Sequence, residues 1–131
     1  MDAITREKYL KLALMAFGGI FFFIYPLGIV WPSGWVWHGG EGSYYLQMIC
    51  GVYAVLGAYL IMAAKDPSKH RSLIGFTIWS SVVHACIMGA QALGDGHEMG
   101  HLVGDVPALL LVAGVLGFLS PKATQTAPAT A

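Results

Sequence analysis

The stretch LIGFTIWSSVVHACIMGAQAL, residues 73–93, decides how this chain is read. It contains no lysine, arginine, aspartate or glutamate. It is also long enough to cross a hydrocarbon core, which takes about 20 residues of helix. Three further apolar runs of similar length accompany it: roughly Leu12 to Val30, Tyr45 to Ala64, and His101 to Leu119. Hydrophobic residues make up 56% of the chain and charged residues 11%, against about 25% charged in a soluble domain. So small a polar surface is suited to lipid rather than water. The chain therefore reads as all-α, an integral membrane four-helix bundle of two antiparallel hairpins. Residues 1–121 form its single domain and residues 122–131 a disordered Ala/Thr/Pro-rich tail. The zero net charge gives no footprint for nucleic acid.

The breaks between the runs have their own chemistry. Trp31-Pro32-Ser33-Gly34 and Gly39-Gly40 end the first span. Lys65-Asp66-Pro67-Ser68 ends the second, with Ser68 expected to cap the third. Gly94-Asp95-Gly96 turns the chain into the fourth, which Ser120-Pro121 closes. Pro26 lacks a backbone N–H, so a kink is expected between Phe22 and Pro26. The first run exceeds the core of a secretory signal and no small-residue cleavage site follows it, so it reads as an anchor. Small residues at Gly51, Ala54, Gly57 and Ala58, and at Gly114 and Gly117, are expected to let helices approach closely.

Orientation follows from the basic residues. Arg6, Lys8, Lys11, Lys65, Lys69, Arg71 and Lys122 all fall on one side of a four-span layout. The positive-inside rule places both termini in the cytoplasm, N-in and C-in, of a bacterial inner membrane. Trp31, Trp35 and Trp37 then stand at the outer interface as an aromatic belt. Cys50 and Cys86 lie in apolar stretches without a CxxC spacing and read as small buried residues.

The same layout sorts the acidic and histidine residues. His38, Glu41, Asp95, His97, Glu98, His101 and Asp105 belong to the outer half, and His84 to the middle of the third span. Thr77, Ser80, Ser81, His84, Met88, Gln91 and Asp95 recur at helical steps and form one polar face, which should point into the bundle. A tight turn at Asp95 would set His84 opposite Asp105, Met88 opposite His101, and Gln91 opposite Glu98. A histidine beside a carboxylate at that depth reads either as a structural hydrogen bond fixing the hairpin or as a ligand site.

His97-Glu98-Met99-Gly100-His101 matches H-E-x-x-H, which in zinc proteases sits on an α-helix with both histidines on the metal. No second protease element accompanies it. His84, His97, Glu98, His101 and Asp105 are the candidate metal ligands. A divalent transition metal (zinc, copper or iron) is the most economical ligand for imidazole plus carboxylate. A solvated helix start is the bland alternative, since acidic residues favour a helix N-terminus in any case.

The strings Ile24-Tyr25-Pro26-Leu27, Trp31-Pro32-Ser33-Gly34-Trp35, Trp79-Ser80-Ser81-Val82-Val83-His84 and Gly100-His101-Leu102-Val103-Gly104-Asp105-Val106-Pro107-Ala108-Leu109 resemble an uncharacterised family of short bacterial four-span membrane proteins. The resemblance runs from about Arg6 to Pro121. It implies a standalone helical bundle and no particular activity. A looser similarity of layout links the chain to the DoxX-like small membrane proteins.

Three function classes follow. The leading one is a membrane-embedded binding protein with a periplasm-facing site for a divalent metal or a small polar ligand. The second is a structural or accessory subunit of a membrane complex. The third is a metal-dependent membrane enzyme. Lipid is the expected partner in all three, with a homo-oligomer or a larger membrane complex left open.

Overall fold

A computed structural model describes residues 1–30 and 44–120 of the chain. The expected aromatic belt of Trp31, Trp35 and Trp37, together with His38, Glu41 and the 122–131 tail, lies outside the described residues. The described residues form helices α1 (Ala3–Phe22), α2 (Ile24–Val30), α3 (Tyr44–Ala63), α4 (Arg71–Gly94) and α5 (Asp105–Leu119). Two 3₁₀ segments, Pro67–His70 and Gly96–Leu102, link α3 to α4 and α4 to α5. Three of the helical stretches are long and apolar enough to cross a membrane, and the α1–α2 pair makes a fourth if counted as one bent span.

The bend in that pair is 64° and falls at Phe23, inside the window expected from Pro26. Phe23 ends α1 by donating its N–H to the Gly19 carbonyl at 3.1 Å. Pro26 then sits in the first turn of α2, where a missing N–H costs no helical bond.

α1 packs mainly on α3, and α4 on α5, with lighter contact between α1 and α5. The first pairing rests on Gly18 and Gly57. A Cβ on Gly57 would stand 2.5 Å from both the Gly18 carbonyl oxygen and the Phe22 nitrogen, so only glycine lets these backbones meet. Gly51, Gly114 and Gly117 do not share that role, since a Cβ on any of them would meet open space. Arg6 joins α1 to α5. Its guanidinium donates to the Leu119 carbonyl at 3.2 Å and to the Phe118 carbonyl, satisfying acceptors that a helix C-terminus leaves unpaired. Leu14, Leu60 and Leu116, from α1, α3 and α5, are fully buried between them.

Two helix starts depart from the sequence reading. Ser68 does not cap α4. It lies in the 3₁₀ turn and donates its hydroxyl to Asp66 at 2.6 Å, while Lys69 pairs with the same carboxylate at 2.9 Å. α5 begins at Asp105 rather than His101. An α-helix starting at His101 would need the residue 107 N–H to bond the Val103 carbonyl, and Pro107 has none. Beginning at Asp105 keeps Pro107 in the first turn. Gly96, Gly100 and Gly104 weaken the α-helix further upstream, and the chain takes the tighter 3₁₀ path there.

Gly57→Ala should destabilise the folded protein by roughly 1–3 kcal/mol, the usual cost of overpacking. Gly75→Ala, whose Cβ meets nothing within 4 Å, should leave stability unchanged or slightly raised. Chemical unfolding in detergent followed by circular dichroism reads both, and equal effects would remove the Gly18–Gly57 contact as the basis of α1–α3 packing.

The Ser68 hydroxyl, followed by the Lys69 ammonium, holds the Asp66 carboxyl down to about 2 from 3.8. Its contribution to the α3–α4 turn is therefore complete above pH 3.8 and is lost as the pH falls through about 2. Ser68→Ala should move the Asp66 carboxyl upward in a ¹³C NMR titration.

Candidate functional site

Polar side chains that face apolar surroundings need partners inside the protein, and α4 shows how these are met. Thr77 and Ser81 are fully buried, as the stripe reading requires. Thr77 donates its hydroxyl to the Leu73 carbonyl at 2.9 Å, and Ser80 to the Thr77 carbonyl at 3.3 Å. Farther along the stripe the burial gives out: His84 and Met88 are half-buried, Gln91 and Asp95 exposed.

His84 does not hydrogen-bond Asp105. Its Nδ1 meets the Tyr53 hydroxyl at 2.5 Å, with the two rings tilted at 42° and their centroids 5.8 Å apart. Phe21 of α1 packs edge-on against Tyr53 at 5.1 Å and holds that ring in place. This hydrogen bond reaches across from α3 to α4, two helices whose backbones otherwise make little contact. Tyr53 had no place in the polar pattern read from the sequence. Its signal was nevertheless present, because a tyrosine hydroxyl midway along an apolar helix must find an acceptor or donor nearby.

The expected pairing failed because the turn after α4 is longer than two or three residues. The seven-residue 3₁₀ segment Gly96–Leu102 folds back onto α4, and α5 starts only after it. Asp105 becomes the first residue of α5, where a helix N-terminus favours a carboxylate. Its Oδ2 lies 2.5 Å from Nδ1 of His101. The other ring nitrogen of His101, Nε2, lies 2.8 Å from Oε2 of Glu98. One imidazole is thus held between two carboxylates, with side-chain exposures of 18% for His101, 28% for Glu98 and 25% for Asp105. The cluster opens to its surroundings without being fully solvated.

Of the candidate metal ligands His84, His97, Glu98, His101 and Asp105, the structure brings Glu98, His101 and Asp105 together and gives His84 to Tyr53. Among the described residues, no group of three or more histidine, cysteine, aspartate or glutamate side chains is placed to hold a metal ion. Two physical reasons account for this. The H-E-x-x-H string lies on a 3₁₀ segment, where positions four apart are rotated by about 120° rather than the roughly 40° of an α-helix. Both nitrogens of His101 already face carboxylates, so neither lone pair is presented to an ion. The His97 side chain lies outside the described residues.

The carboxylate–imidazole–carboxylate arrangement has a definite proton requirement. An ionised carboxylate only accepts hydrogen bonds, and a neutral imidazole donates only one. Two carboxylates bonded to both nitrogens therefore call for one more proton than neutral histidine supplies, either on the ring or on one of the acids. The family model that covers the chain spans residues 4–130. The chain belongs to DUF6632, a family of unknown function. No curated protein and no solved structure matches it. Membership in DUF6632 assigns no activity, so the residues above carry the functional reading.

Tyr53→Phe and His84→Leu should couple in a double-mutant cycle by roughly 0.5–1.5 kcal/mol, the range for one hydrogen bond between apolar helices. The corresponding cycle between Asp105→Asn and His84→Leu should give a smaller coupling, because those side chains share no hydrogen bond. Reversed magnitudes in thermal unfolding would restore the His84–Asp105 pairing.

Proposed function

We propose that this is a multi-pass membrane protein of the bacterial inner membrane, with both termini in the cytoplasm, that binds a small cationic ligand on its periplasmic side. The ligand that fits best is the proton. The observation that carries this reading is His101 held on both ring nitrogens by Glu98 and Asp105.

Membrane insertion is supported by the outward faces of the helices. Phe76, Trp79, Phe118 and Leu111 are 60–70% exposed, an apolar surface that lipid covers and water does not favour. The sidedness is supported by the basic residues, since Arg6, Lys65, Lys69 and Arg71 lie at the opposite ends of the helices from Glu98 and His101. A carboxylate pair in such surroundings is costly unless a cation stands between its members, and a protonated imidazole is that cation.

The second reading is an accessory subunit of a membrane complex, in which the polar groups only lock helices together. The Tyr53–His84 hydrogen bond between α3 and α4 favours it. The two readings differ in whether the cluster exchanges protons with the outer aqueous phase.

Reporter fusions after Ala64 and Lys122 should read cytoplasmic, and fusions between Trp35 and Gly42 periplasmic. Protein purified in detergent without chelator should carry well under one equivalent of zinc, copper or iron, with no change in His101→Ala. ¹⁵N NMR should show both His101 nitrogens in hydrogen bonds to carboxyl groups. Near-stoichiometric metal that disappears in His101→Ala would sink the proton reading and return the site to metal binding.

A further inference from the structure

We propose that a cleft between α2 and α3 binds an uncharged, single-chain amphiphile drawn from the lipid phase, its hydrogen-bonding head held by Gln47 and its chain lying along Gly51 and Ala54. This site is independent of the proton site and rests on the multi-pass membrane reading alone.

The cleft exists because the first span bends. Gly18 and Gly57 let α1 lie close against α3, and the 64° bend at Phe23 then turns α2 off the line of that contact. α2 packs on α3 more sparsely than α1 does. A cavity of about 270 Å³ remains, lined by Tyr25 from α2 and by Gln47, Cys50, Gly51 and Ala54 from α3. The α3 residues stand three and four apart and so form one row along the helix. At 1.5 Å per residue that row is about 10 Å long, which suits an extended chain better than a compact ion. A Cβ on Gly51 would meet nothing within 4 Å, a separate sign that this wall is open.

The chemistry changes along the row. Gln47 is half-buried in the first turn of α3, and its side-chain amide makes no hydrogen bond among the described residues. An amide offers two donors and an acceptor, and in an apolar span these need a partner. Deeper in, Cys50 is 3% exposed, and Gly51 and Ala54 present no polar side-chain atom. The cleft is therefore polar near the helix start and apolar towards its middle.

None of the lining residues is charged at neutral pH, so nothing in the cleft balances a phosphate or an ammonium group. The outward residues beside it, Leu27, Met48 and Val52, are 49–63% exposed, a surface that lipid covers. The cleft thus borders lipid, and its ligand enters from there. A phospholipid has a charged head and two chains, whereas the cleft offers one row and no counter-charge. A long-chain alcohol, with one hydroxyl and one slender chain, matches both ends.

The test uses full-length protein in phosphatidylcholine nanodiscs and decanol carrying a diazirine on its chain. After illumination, peptide mass spectrometry locates the label. It should concentrate on Tyr25 and residues 47–54, saturate, and be displaced by plain decanol but not by decyltrimethylammonium. Gly51→Leu, which puts a side chain into the open wall, should lower labelling by about tenfold or more. Ala54→Val takes its place should that variant fold poorly. Gln47→Leu, which removes the head's partner, should lower labelling by about fivefold. Label that does not saturate and spreads over Val52, Val55 and Phe118 as over any lipid-facing surface overturns the site. So does labelling unchanged in both Gly51→Leu and Ala54→Val. Equal displacement by decyltrimethylammonium, or full labelling of Gln47→Leu, overturns the uncharged head held at Gln47. Failure of the membrane reading itself would show in the reporter fusions, which do not depend on the cleft.

Discussion

A polar group on an apolar helix has nowhere to turn but to another part of the same protein, and this requirement governs where the side chains of this chain meet. The hydroxyls of Thr77 and Ser80 turn back to their own helix. The Tyr53 hydroxyl crosses to His84. Arg6 reaches the open carbonyls at the end of α5. His101 satisfies two carboxylates at once. Each solution is local, and those of Tyr53 and Arg6 also tie neighbouring helices together.

The close approach of α1 and α3 at Gly18 and Gly57 complements these bonds. Where backbones nearly touch, dispersion between many atoms holds the helices without any polar group. Between α3 and α4 the backbones stay apart, and a long aromatic side chain ending in a hydroxyl spans the gap. The two kinds of contact suit different roles. Glycine-mediated packing is rigid and chemically silent, whereas a tyrosine–histidine bond has a proton in it and can change state.

The extent to which all of this could be read from sequence varied with the range of the interaction. The apolar runs, the bend before Pro26 and the inward face of Thr77 and Ser81 depend on neighbours a few residues away, and periodicity exposes them. The partner of His84 depends on how many residues the turn after α4 consumes. Gly96, Gly100 and Gly104 lengthened that turn, and a helix already barred from starting early by Pro107 could not compensate. The missing N–H of Pro107 disfavours a helix start at His101 and is compatible with one at Asp105, a local signal that the sequence itself carries. Tyr53 was harder to place, because one hydroxyl in an apolar helix has no pattern of its own. Ser68 falls inside the 3₁₀ turn that precedes α4, too early to cap that helix, and its hydroxyl donates to Asp66 instead.

The H-E-x-x-H string shows why a motif carries meaning only together with its backbone. On an α-helix, a step of four residues turns the chain by a little more than one full revolution, and two histidines share one face. On the 3₁₀ segment that holds it here, the same step overshoots by a third of a turn. His101 meets the residues three before and four after it, and both of those residues are acidic. An imidazole between two carboxylates completes its hydrogen bonds by gaining a proton, whereas a metal ligand completes them by giving up a lone pair.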